Sequence, residues 1–140
     1  MKAQHYLETY EQLYRQAQRL TEEIHQLETI ATSGGGAIRY DQTPVMHSPG
    51  GGPMGVIDQK VNLEMLLSSV IDEMITLKNS YLDIFNRLVN QDRQIAILTW
   101  LEFEGAVYIS SVLKVTARTV FRRRKAILMI VQELLDSDSD

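Results

Sequence analysis

Apolar residues recur at helical spacing along most of this chain. Tyr6, Tyr10, Leu13, Ala17, Leu20, Ile24, Leu27 and Ala31 follow in alternating steps of four and three, with mostly Glu, Gln, Arg and Thr between them. This heptad pattern predicts an amphipathic helix over about residues 3–32, roughly 45 Å long at ~1.5 Å per residue. One helix cannot bury such a stripe alone, so a partner helix is implied, in the same chain or in another copy. Tyr10, Leu13, Leu20, Ile24 and Leu27 are assigned to that pairing as oligomerisation residues.

Ser33-Gly34-Gly35-Gly36 ends the pattern, and residues 34–55 read as a Pro/Gly-rich linker. Its glycines lack the Lys-Ser/Thr that a phosphate-binding loop requires. A second long helix is expected over residues 56–90. Leu63, Leu66, Val70, Met74, Leu77, Tyr81, Ile84 and Leu88 form its main stripe. A second row with Ile57, Val61, Met65, Ile71 and Ile75 suits contact with more than one neighbour. Asn90-Gln91-Asp92 breaks the pattern and offers a cap for a third helix, whose Trp100 is expected to lock against the C-terminal helices. Two further helices complete a C-terminal unit over residues 91–135, joined by a turn at Lys114-Val115. Residues 136–140 alternate Asp and Ser and read as a disordered acidic tail. The expected fold class is all-α: a long two-helix hairpin or coiled coil, then a helix-turn-helix.

Composition narrows the function. The 140 residues carry a formal net charge of −4, so the molecule as a whole is not basic. The positive charge is local: from Lys114 to Lys125 there are six basic residues and no acidic one. Local charge sets the footprint for phosphates. Thr116 is placed to cap the last helix. Behind it Val120, Ile127, Val131 and Leu134 recur for burial, while Arg118, Arg122 and Lys125 fall opposite Val120 on a wheel of 100° per residue. A capped helix with one apolar and one basic face suits the major groove of DNA. Arg118 and Arg122 are expected to read base edges. Thr116, Thr119, Arg123, Arg124 and Lys125 complete the DNA-contacting set, mainly through phosphates. Arg124 has a second reading, in a packed ion pair. Phe121 flanks the basic arc and is expected to pack at the core edge, with a thymine methyl as the other reading.

Nothing points to catalysis. Glu22-x-x-His25 has the spacing of one di-iron ligand pair but has no second copy. No metal or other cofactor is expected. The chain has no cysteine, no apolar leader and no run near the ~18 apolar residues of a membrane span. It is therefore expected to be cytoplasmic, with no membrane partner.

The stretch from Val115 to Leu128 resembles the final helix of sigma-70 region-4 helix-turn-helix modules. It is most similar to phage late-gene transcriptional regulators of the ArpU type. Their Ser/Thr-x-Arg-Thr-x-Tyr/Phe-Arg pattern is matched by Thr116, Arg118, Thr119, Phe121 and Arg122. Lys114 departs from it, standing at a turn position often held by glycine, and Arg124 stands where an apolar residue is common. The resemblance implies a sequence-specific regulator of transcription in a bacterial host cell. It would bind double-stranded DNA as a homodimer or higher homo-oligomer and contact RNA polymerase. Two other classes share these elements: a small terminase subunit that binds DNA for packaging, and a helical protein-interaction module without DNA binding.

Overall fold

The computed structural model describes residues 2–32 and 53–138. Among them the chain is all-α: five helices and no strand. These are α1 (Ala3–Thr32), α2 (Pro53–Phe85), α3 (Asn90–Ala96), α4 (Ala106–Leu113) and α5 (Ala117–Asp138). α3 runs directly into a π turn, Ile97–Leu101, closed by the Glu102 N–H donating to the Ile97 carbonyl at 3.0 Å. The chain divides into two compact units, Met1–Tyr14 with Glu73–Asp140, and Arg15–Asp72.

The core of the first unit is built from Leu7, Tyr81, Phe85, Ile95, Ile109, Val120, Ile127 and Val131, all fully buried. Its aromatic residues touch in sequence. Tyr6 and Tyr81 meet edge to face with centroids 5.0 Å apart, and Phe85 lies 6.4 Å from Trp100. Tyr10 and Tyr14 both face Phe103, at 5.9 and 5.1 Å. Such pairs add about 0.5–1.5 kcal/mol each beyond the area they bury. The buried Tyr81 hydroxyl is satisfied twice on α1: it donates to the Tyr6 carbonyl and accepts from the Tyr10 N–H at 3.3 Å. The free first N–H of α1, on Ala3, donates to Gln132 Oε1 of α5 at 2.8 Å. Trp100 is buried, as expected of it.

In the second unit Leu20, Ile24 and Val70 are buried. Thus Tyr10, Leu20 and Ile24 of the expected oligomerisation row are already covered by their own chain, and Leu13 and Leu27 are half-buried. The second row of α2 is left out. Ile57, Val61, Met65 and Ile71 are exposed, Met65 at 67%.

Several boundaries differ from the sequence reading. α2 starts at Pro53, inside the expected linker, because proline suits a first helical position where an N–H would be unpaired. The rest of that linker, 34–52, lies outside the described residues. α2 stops at Phe85 rather than at residue 90. Arg93 reaches back to its last carbonyl, on Phe85, at 3.4 Å, and to those of Asn86 and Leu88 just beyond it at 3.4 and 3.3 Å. α3 has no side-chain cap; Asp92 lies inside its first turn, turned to another partner. α5 continues to Asp138, three residues into the expected tail, with Gln132 Nε2 donating to Asp136 Oδ1 one turn on at 3.0 Å.

Candidate nucleic-acid interface

α4 and α5 are joined by Lys114, Val115 and Thr116. Lys114 takes the left-handed conformation, φ 57° and ψ 44°, and its N–H and that of Val115 both donate to the Ser110 carbonyl. This is how helices close their last carbonyls, usually with glycine at the left-handed residue. A Cβ there costs about 1–2 kcal/mol. Thr116 then caps α5. Its Oγ1 accepts the Thr119 N–H at 3.1 Å and lies 2.8 Å from Thr119 Oγ1, so both hydroxyls are engaged in the cap.

α5 presents three kinds of surface. Val120, Ile127 and Val131 form the buried face. Arg118, Arg122 and Lys125 stand exposed on the other side, and among the described residues none of them has an acidic partner. Between the two, Arg123 and Arg124 reach sideways. Arg123 holds Asp92 of α3 with two hydrogen bonds, Nε to Oδ1 at 2.8 Å and Nη2 to Oδ2. Asp92 is 3% exposed, the one buried carboxylate among the described residues. The hydrogen bonds that Arg123 donates to Asp92 raise the guanidinium above its ordinary value, and the carboxylate charge adds to this against the cost of burial. Arg124 donates from Nε to Thr99 Oγ1 at 3.0 Å and from Nη2 to the Glu104 carbonyl at 3.2 Å. Burial lowers its value.

The structure therefore divides the seven expected DNA contacts. Arg118, Arg122 and Lys125 form one exposed cationic group. Thr116 and Thr119 close the helix start. Arg123 and Arg124 are committed to α3, the π turn and the segment after it; among the described residues Arg124 makes no ion pair and is held by a hydroxyl and a carbonyl. Phe121 corrects the expectation of core-edge packing: it is 58% exposed, with the Arg124 guanidinium carbon 5.7 Å from its ring centroid. Asp92 was missed as a partner and read only as a cap. The angular position of Arg123, about 60° from Val120 at 100° per residue, was the available signal.

No cluster of three or more His, Cys, Asp or Glu suited to a metal occurs among the described residues. No described helix is long and apolar enough to cross a membrane. No protein-family model matches the chain, and neither a curated protein nor a solved structure matches it.

Proposed function

We propose that the protein is a sequence-specific regulator of transcription that binds double-stranded DNA, with α4 and α5 as a helix-turn-helix of sigma region-4 type. One observation carries this reading. The first half of a capped helix exposes Arg118, Arg122 and Lys125, while Val120 is buried and Arg123 is tied to Asp92 on its other side. A rigid helix with a one-signed exposed face is the element that enters a major groove. In this reading α1 and α2 form the hairpin arm. Regulation of phage late genes and contact with RNA polymerase follow only from the resemblance noted above.

The test is a selection of duplexes from a random library, followed by measured affinities. Arg118→Ala or Arg122→Ala should relax the preference for the selected site over scrambled DNA by roughly 5- to 150-fold, the equivalent of one bidentate base contact. Lys125→Ala should weaken both DNAs alike and make the logarithmic salt slope shallower by about one unit. A selected-to-scrambled ratio that both arginine variants leave untouched would show that α5 is not the reader.

A further inference from the structure

We infer that Phe121 is a specificity-determining residue that contacts the C5-methyl group of a thymine in the major groove; this rests on the DNA-binding reading above. Phe121 lies in the second turn of α5, next to Arg122 and one turn on from Arg118. At 100° per residue it points about 60° to one side of Arg118 and about 40° from Lys125, within the arc that faces the nucleic acid. The residue is 58% exposed, unlike Val120 beside it, which is fully buried.

The ring is also held. The Arg124 guanidinium sits 5.7 Å from its centroid, within cation–π range. Arg124 is itself anchored to Thr99 Oγ1 and the Glu104 carbonyl, on a different part of the fold. The sequence spends a cation on steadying an exposed aromatic ring rather than on a phosphate. An aromatic side chain has no donor or acceptor to offer a base edge. The one apolar group on the major-groove edge of a base pair is the thymine methyl. The arginines would then select guanine by hydrogen bonding, while the ring selects thymine against cytosine by contact.

The experiment uses the full chain and the duplex it selects from a random library. Each thymine is replaced in turn by deoxyuridine, which lacks only the methyl. Wild-type protein should bind one such duplex about fourfold more weakly, the effect of one buried methyl. Phe121→Ala should bind the unmodified duplex about fourfold or more weakly and be indifferent to deoxyuridine at that position. Phe121→Leu should retain part of the discrimination. At the same position 5-methylcytosine should be bound better than cytosine by the wild type and not by Phe121→Ala. Thermal melting of both variants should match the wild type, since the ring is exposed. If a duplex is selected but deoxyuridine is neutral at every position, or if Phe121→Ala still discriminates, the assignment of Phe121 fails and the arginine reading stands. If no duplex is enriched, the DNA-binding reading itself fails.

Discussion

Arg123 and Asp92 show how one residue's role depends on what it meets across the fold. Two charge-assisted hydrogen bonds satisfy a carboxylate that is 3% exposed, with the guanidinium side chain 34% exposed. Removing one partner leaves the other charge without compensation. Arg123→Ala should destabilise the protein by about 2 kcal/mol, below the ~3–5 kcal/mol of a fully buried pair because water reaches the guanidinium. Asp92→Asn with Arg123→Met should recover part of that loss, as chemical denaturation would register. Tyr81 gives a prediction in pH. Burial is the largest cause raising its phenol above the ordinary 10.0, and Tyr6 and Tyr10 are raised for the same reason. The folded state thus favours the neutral ring, and its stabilisation is intact below pH 10.0. Above that the unfolded chain ionises first and stability falls. Tyr81→Phe should cost about 1 kcal/mol at neutral pH and make the decline between about pH 10 and 12 shallower by ~1.4 kcal/mol per pH unit. Neither role was legible from local sequence, since Asp92 is 31 residues from Arg123 and Tyr81 is 75 from Tyr6. A wheel shows that Arg123 and Arg124 border the apolar stripe; it cannot show which neighbour supplies the acceptor.

At the scale of elements, local chemistry carries more of the information. The start of α5 follows from Thr116 because its hydroxyl needs only a backbone N–H three residues on, at Thr119. The heptads of α1 likewise need nothing beyond their own spacing. The ends of α2 and α5 were harder to read. Phe85 is a stopping point because Arg93, eight residues later, donates to its carbonyl, and no periodicity encodes that. The π turn is similar: Ile97–Leu101 has ordinary helix formers, and its geometry belongs to the packing of Trp100 and the position of Thr99 beside Arg124. The link between α4 and α5 invites one direct change. Lys114 is left-handed at φ 57°, where glycine has no steric cost. Lys114→Gly should relieve this strain, offset in part by the greater entropy of the unfolded chain, and raise the melting temperature by about 2–4 °C.

For the whole molecule, we propose a homodimer, and the surface that pairs the two copies decides its arrangement. A dimer places two reading helices on half-sites about one turn of DNA apart. The α1 heptad was the natural candidate, yet Leu20 and Ile24 are buried within a single chain. The second row of α2 is not. Its Ile57, Val61 and Ile71, all exposed, share a face of α2 with Glu64 and Ser68, the five following in steps of four, three, four and three. A parallel partner would set Glu64 against its own copy. In an antiparallel partner centred near Leu66, Ile57 and Val61 meet the far end of the row and Glu64 meets Ser68, which separates the like charges. A second copy of α2 is therefore the occupant that this row fits. Val61→Asp or Ile71→Asp should convert a dimer to a monomer while helical content is kept. Leu20→Asp should lower helical content, because it places a charge in a covered position. Sedimentation velocity and circular dichroism on the same samples separate these outcomes. A folded wild-type monomer at micromolar concentration would remove the dimer from the proposal, and a closed ring of many subunits would favour a DNA-packaging role over transcription.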